Sequence, residues 1–323
     1  MPKGKIGIEL GTSYLRICAN DKDDILQIKN VIALNNKMKL VAVGNEAYAM
    51  YEKEPYTIQV ISPITRGVIG DYTNMRRLLY VVLKSYTKRF RQYSYYAAVP
   101  VDISNIEKRA FYDMILEAGV HVKSVDLLAK PMVDAVGLGI SVEEPKGSMI
   151  INLGTDTCEI SVVCLGGVVC SRLLKYGSSQ LDSWMMQYMR RQEGIQIGKK
   201  TAEKFKYQYA KSQEDRTFFI KGRDVVSGLP KGKKISLSVM EQRTCEFVHQ
   251  VIAETKDMLE RIPPQLVSDI MAGGIFLSGG GSNFFKVKSW MEEELNLPIH
   301  TKMNPENTVI QGLKVICNQK NDR

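Results

Sequence analysis

Apolar positions crowd and alternate on both sides of Gly11-Thr12 in KIGIELGTSYLRIC, residues Lys5 to Cys18. This predicts a strand, a tight turn and a returning strand. The pattern returns from Ser148 to Leu165, SMIINLGTDTCEISVVCL: a buried strand, Gly154-Thr155, then an alternating strand with Ile160, Val162 and Cys164 on one face. The two glycines stand 143 positions apart (154 − 11), a domain-sized spacing that suggests two halves of similar construction. Taken alone, the pair also fits two unrelated hairpins. A third cluster, GIFLSGGGSN from Gly274 to Asn283, runs a short apolar strand into a glycine-rich turn ahead of a helix.

Between these landmarks strands and helices alternate. Asp71 to Lys88 reads as a helix through Met75, Leu78, Leu79, Val82 and Leu83, and Tyr95 to Val101 as a strand. A helix follows over Asn105 to Ala118, with Ser104 as its N-cap and Gly119 as its stop. Val125 to Leu128 is a short strand, and Pro131 to Gly137 opens a helix with proline in its first turn. Helices are expected over Gly177 to Glu193, Thr201 to Lys211 and Met240 to Arg261, with polar strands and turns over 212–238. The result is an α/β chain with mixed sheets in each half.

The 323 residues suffice for about two domains, and 44% hydrophobic with 24% charged residues disfavours disorder, collagen-like repeats and an integral membrane protein. No apolar run approaches the roughly 20 residues of a bilayer span, and Met1-Pro2-Lys3-Gly4-Lys5 leads straight into a strand rather than a signal-peptide core. A cytoplasmic protein is expected. The formal charge of +9 leaves nucleic acid, an anionic bilayer, a polyphosphate or simply a solvated basic face open. Six scattered cysteines without CxxC spacing read as buried free thiols, and His121, His249 and His300 lack metal-ligand spacing. Glycine-rich turns expose N–H groups, so the three turns together predict a cleft between the halves that cradles phosphates and a nucleoside.

With these turns in this order, the chain resembles the actin/Hsp70/sugar-kinase superfamily and, within it, the MreB bacterial actins. The resemblance runs along nearly the whole sequence: GIELGTSY, AVGNEAY, VDISNIEKRAFYDMILEAG, KPMVDAVGLGISVEEPKGSMIINLG, VVCLGGVV, GKKTAEKFK, IKGRDVVSGLP, IPPQLVSDIMAGGIFLSGGG and LPIHTKMNP. KGRDVVSGLPK and PPQLVSDIMAGGIFLSGGG are the most specific of these runs. The resemblance implies an α/β, actin-like two-lobed fold of duplicated ribonuclease-H-like domains around a nucleotide cleft. Domain I would be 1–146 plus about 306–323, with a small subdomain at about 30–70. Domain II would be 147–305, with a small subdomain at about 180–245. It also implies ATP or ADP with Mg2+ as ligand, self-association into protofilaments, the inner face of an anionic membrane, other MreB paralogues and cell-wall synthesis membrane proteins as partners, and a role in bacterial cell shape.

By the same resemblance, Gly11, Thr12, Ser13 and Tyr14 form the first phosphate loop, and Gly154, Thr155, Asp156 and Thr157 the second. The family usually has glycine where Thr155 and Asp156 stand, and an added carboxylate facing phosphates repels them unless magnesium or a lysine intervenes. Glu203 and Lys206 match the nucleoside-contacting Glu-x-x-Lys, on one helix face by their i,i+3 spacing, with an ordinary surface ion pair as the alternative. Gly279, Gly280, Gly281, Ser282 and Asn283 match the adenosine-side loop.

The catalytic positions depart from the family. Lys130 stands where relatives carry the glutamate that orients the attacking water, Asn152 replaces the aspartate that holds magnesium through water, and Glu9 replaces the aspartate of the first loop. A lysine cannot act as that base, and Asn binds hard cations less strongly than a carboxylate, which leaves Glu9 as the one candidate Mg2+ contact. Losing these groups removes several kcal/mol of transition-state stabilisation, so weak or lost hydrolysis is expected. Lys130 is expected either to meet the γ-phosphate as a point charge or to pair with Asp134 one turn along its helix.

Membrane contact is expected at LKSYTKRFRQYSYYAAVP, where Lys84, Lys88, Arg89 and Arg91 interleave with Tyr86, Phe90 and Tyr93. A solvated helix end leading into a buried strand is the alternative. Such interleaving also suits single-stranded nucleic acid, but no recognition module accompanies it, so no specific nucleic acid is expected. Two other functions remain: a non-polymerising pseudo-ATPase that regulates or copolymerises with an ordinary MreB, and a metabolic kinase, for which the catalytic aspartate is missing.

Overall fold

The alternation around Gly11 gives an antiparallel hairpin, Lys3–Leu10 with Tyr14–Ala19, in which Ile8 faces Ile17. Leu26–Lys29 extends it antiparallel, while Gln92–Val99 and then Val122–Ala129 lie parallel on the other side of the first strand. A second five-stranded sheet repeats the order. Ser148–Leu153, Cys158–Cys164 and Gly167–Leu174 run antiparallel, and Ile275–Ser278 and Ile299–Thr301 join parallel at the opposite side of Ser148–Leu153. This is the duplicated α/β architecture expected of an actin-like chain. The computed structural model describes residues 3–88, 90–211 and 216–319.

Parallel neighbours need crossovers, and helices supply them. In the first half, Tyr72–Tyr86 and Asn105–Ala118 bring Met75, Leu78, Leu79, Phe111 and Met114 against Ile6, Ile8, Leu15 and Ile17. In the second, Ser179–Gln192, Val239–Arg261 and Val287–Leu295 pack Leu181, Met185, Phe247, Val251 and Met291 against Met149, Ile151, Ile160 and Val162. Each half carries a smaller three-stranded sheet: Leu40–Val43, Ile32–Asn35 and Ile58–Ile61 in the first, and Ile195–Gln196, Thr217–Asp224 and Pro230–Ser236 in the second.

The helix Lys130–Leu138 joins the halves. Val133 packs with Val309 and Leu313, while Ala135 and Leu138 pack with Ile150 and Val163 of the second sheet. The C-terminal helix Thr308–Asn318 crosses it so closely that a Cβ on Gly137 would lie 1.8 Å from the Thr308 carbonyl oxygen, and one on Gly312 would lie 1.9 Å from that of Val133.

Local signals fix most ends. Asp71 caps the helix that begins at Tyr72, accepting from the Asn74 N–H at 3.1 Å. Ser104 and Glu107 close a reciprocal capping box. The strand expected from Tyr95 begins earlier, at Gln92, because it pairs with the first strand from Lys3 onward. The Gly279-Gly280-Gly281 turn does not open an α-helix directly. A single 3₁₀ turn, Gly280–Asn283, intervenes before the helix at Val287. All six cysteines are free; Cys18, Cys158 and Cys317 are buried, whereas Cys164, Cys170 and Cys245 are partly exposed, contrary to uniform burial.

Candidate functional site

Both hairpin turns close in the same way: the Gly11 N–H donates to the Tyr14 carbonyl at 3.0 Å, and the Gly154 N–H to the Thr157 carbonyl at 2.9 Å. A Cβ on Gly11 or Gly154 would meet those same carbonyl oxygens at 2.9 and 2.6 Å, so each turn requires glycine. Because each turn ends the equivalent strand of its sheet, the two meet across the cleft, where Ser13 Oγ donates to Thr155 Oγ1 at 3.0 Å. The third glycine turn follows the strand next to Ser148–Leu153, in which Ser278 lies opposite Asn152. It is held by Ser282 Oγ donating to the Ser278 carbonyl at 2.6 Å and by Asn283 Nδ2 donating to Glu306 Oε2 at 2.9 Å. The second turn thus meets the first through Thr155 and the third beside Leu153, where a Cβ on Gly281 would lie 2.8 Å from the Leu153 Cβ.

The carboxylate of Asp156 has a partner outside its own turn: Oδ2 accepts from the Arg66 backbone N–H at 3.3 Å, in the 64–69 hairpin.

Glu203 and Lys206 share the helix Lys199–Lys211 but have different partners. Glu203 reaches the first half, accepting from Tyr48 Oη at 2.5 Å and facing Lys29 Nζ at 3.4 Å. Burial alone would raise its pKa, but Lys29, the Tyr48 hydroxyl and Lys206 hold it below the ordinary carboxylate value. Lys206 is buried and bonded to Asp182 Oδ2 at 2.6 Å and the Ser178 carbonyl at 3.2 Å. The Lys206 charge acts on Glu203, but the two do not form a surface ion pair, each being bonded elsewhere. Asp182 was not read from the sequence, although a carboxylate on the apolar face of the 179–192 helix is a signal for it.

Beneath the first two turns lies a charged network. Glu9 stands two residues before Gly11 and is paired with Arg16 at 3.0 Å. Asn152, two residues before Gly154, is committed at both ends of its amide: Oδ1 accepts from Lys130 Nζ at 3.0 Å, and Nδ2 donates to Asp134 Oδ2 at 2.9 Å and Ser278 Oγ at 2.8 Å. Ser278 Oγ donates in turn to Asp134. Lys130 also faces Glu159 Oε2 at 3.5 Å. The expected pairing of Lys130 with Asp134 is therefore replaced by Asn152 and Glu159, because the helix points Lys130 at the second sheet while Asp134 Oδ2 is taken by Asn152 and Ser278. Burial raises the pKa of both Glu9 and Glu159, outweighing the Lys130 charge near each and, for Glu9, Arg16 as well. Glu159 was missed in the sequence, although a glutamate inside the apolar run CEISVVC is an anomaly that could have marked it.

These residues do not fit a magnesium site. Magnesium demands several oxygen donors in octahedral array; here Glu9 is turned to Arg16, the Asn152 oxygen is taken by an ammonium group, and no three His, Cys, Asp or Glu among the described residues are grouped to hold a metal ion.

The expected membrane segment separates into two parts. Lys84, Lys88 and Phe90 are exposed, Phe90 to 76%. Tyr93 is 2% exposed within the first core, so it cannot meet lipid, and the Tyr86 ring is likewise buried. The strand begins at Gln92 and its alternation turns Tyr93 inward. Lys88 and Arg91 both pair with Asp21, at 2.9 and 2.6 Å. Arg89 lies outside the described residues. No helix among the described residues is long and apolar enough to cross a membrane.

A family model described as MreB/Mbl protein matches residues 3–323. The cell shape-determining protein Mbl of Bacillus subtilis (strain 168) is 31% identical over 317 residues, 96% of this chain and 95% of that one. Among solved structures, MreB 5 of Spiroplasma citri bound to AMPPNP aligns with a TM-score of 0.91 and 28% identity, over 98% of this chain and 96% of that one. The same protein bound to ADP aligns with a TM-score of 0.91 and 29% identity, over 97% and 96%.

Proposed function

The chain belongs to the MreB/Mbl family, and from that premise we propose that it binds ATP or ADP in the cleft and assembles into membrane-associated filaments governing cell shape, with hydrolysis weak or lost. The observation that carries nucleotide binding is the Ser13–Thr155 contact at 3.0 Å, which brings the two glycine turns of the halves against one another. Solved relatives holding AMPPNP and ADP at 28% and 29% identity support it. Gly11 to Tyr14 and Gly154 to Thr157 receive the phosphates, and Gly279 to Asn283 the adenosine side.

The Lys130–Asn152 bond supports loss of hydrolysis. Attack by water on a phosphoryl group needs a positioned acceptor for its proton and charge stabilisation at the phosphate. An ammonium is a donor only, and the Asn152 amide is already bonded at both ends. Exposed Lys84, Lys88 and Phe90 support contact with an anionic membrane. Filament partners are further copies of this chain or other MreB paralogues, and cell-wall synthesis proteins are reached through the membrane.

The test pairs a steady-state phosphate-release assay with electron microscopy of the purified chain with and without ATP. Release at least about 100-fold below a relative with intact carboxylates is expected, and the double variant Lys130→Glu with Asn152→Asp raises it. Turnover equal to that relative sinks the hydrolysis argument. Micrographs without filaments in either condition favour the non-polymerising regulator.

A further inference from the structure

We propose that the Lys130 ammonium is a resident counter-ion of the phosphate site, so that this chain takes a nucleoside polyphosphate without a divalent cation. The inference rests on the nucleotide-binding reading above.

Lys130 opens the helix between the halves and sends its ammonium group beneath both phosphate turns, to residues each two positions from a turn glycine or on the strand that follows. Its Nζ lies 3.0 Å from Asn152 Oδ1 and 3.5 Å from Glu159 Oε2, and its charge also acts on Glu9. Three carboxylates act on one another here, and each keeps one buried oxygen without a hydrogen-bond partner: Glu9 Oε2, Asp134 Oδ1 and Glu159 Oε2. Carboxylate charge buried in such company is tolerated only when a cation offsets it. The chain supplies one covalently. A divalent ion entering the same space would meet the ammonium as a like charge and would find the Asn152 oxygen already occupied.

An ammonium group has three donors; Asn152 takes one, and Glu159 lies at ion-pair distance. Donor capacity is thereby left for a β- or γ-phosphate oxygen bound at the turns that Ser13 and Thr155 now join. Lysine binds phosphate in this way, as a point charge that needs no metal bridge. The substitution that removes the hydrolytic acceptor thus also provides the charge that the absent metal contact would have contributed.

The experiment titrates the purified full-length chain with a non-hydrolysable, ribose-labelled fluorescent ATP analogue, once in excess Mg2+ and once in EDTA. The dissociation constant is expected to stay within about fivefold between the two buffers, or to be tighter in EDTA. Lys130→Gln is expected to weaken binding in EDTA by more than about fivefold and to recover with Mg2+, while Lys130→Arg keeps the metal independence. Wild-type binding that falls by more than about fivefold in EDTA overturns the proposal, and the comparison needs no variant to fold. So does Lys130→Gln binding like wild type in EDTA. Absence of binding in both buffers is a different failure, that of the nucleotide reading itself.

Discussion

Asn152 is held by bonds at both ends of its amide, to Lys130 on one side and to Asp134 and Ser278 on the other. Asn152→Leu keeps the volume but strands the lysine and the aspartate in a buried site, so a loss of about 3 kcal/mol in urea unfolding is expected. Glu159 gives a second prediction. Burial, opposed by Lys130, holds its carboxyl above the ordinary value of 4.5 in the folded chain. The folded state therefore keeps this proton more tightly than the unfolded state, and Glu159 makes the fold lose stability as pH rises from about 4.5 through the folded value. Glu159→Gln flattens that part of the stability curve, measured by urea midpoints across pH. Glu203 has the opposite sign: its depressed pKa contributes stability above the ordinary value that disappears as pH falls through the folded one. The family resemblance singled out Glu9, Lys130 and Asn152 in the sequence. It did not say whom Lys130 would meet, since its partners are 22 and 29 positions away and arrive through a different sheet.

The two helices that cross at Gly137 and Gly312 have no room for a methyl group on either side. Gly312→Ala is expected to lower stability by about 1–3 kcal/mol or more, read as a lower urea midpoint, because the atoms it meets belong to backbone and cannot swing aside. The cap of the Asn105–Ala118 helix is a smaller matter: Ser104→Ala removes one half of a capping box and lowers stability by about 1 kcal/mol in the same measurement. Caps, prolines and hydrophobic periods are local, so the helix at 105–118 was legible to the residue and that at 72–86 nearly so. Strand ends and the turn after Ser278 were less so. Gln92 becomes strand because a neighbour offers hydrogen bonds there, and Gly280 to Asn283 forms a 3₁₀ turn packed beneath Leu153.

At the scale of the whole chain, the halves are tied at the base of the cleft by Ser13 with Thr155 and at its mouth by Tyr48 and Lys29 with Glu203. Glu52 adds a second tie at the mouth, accepting from the Lys199 and Lys200 backbone N–H groups at the start of the facing helix. Glu203→Ala is expected to speed amide exchange in the 44–50 and 199–211 helices while leaving the central strands unchanged, because only the mouth loosens. On the outer surface, Lys84→Ser with Lys88→Ser is expected to weaken vesicle flotation by about tenfold with anionic lipid and not with neutral lipid; equal flotation on both removes the membrane reading. The sequence by itself determined the duplicated strand-turn-strand halves, the three glycine turns and the family, because period, turn chemistry and residue identity are properties of short segments. Only the tertiary structure decided that Lys206 is sequestered by Asp182, that Tyr93 is inside, that Asp156 turns to Arg66 and that Lys130 stands among Glu9, Asp134 and Glu159. Those outcomes depend on which distant groups share a low-dielectric space, and that is set when the elements of each half pack and the halves meet.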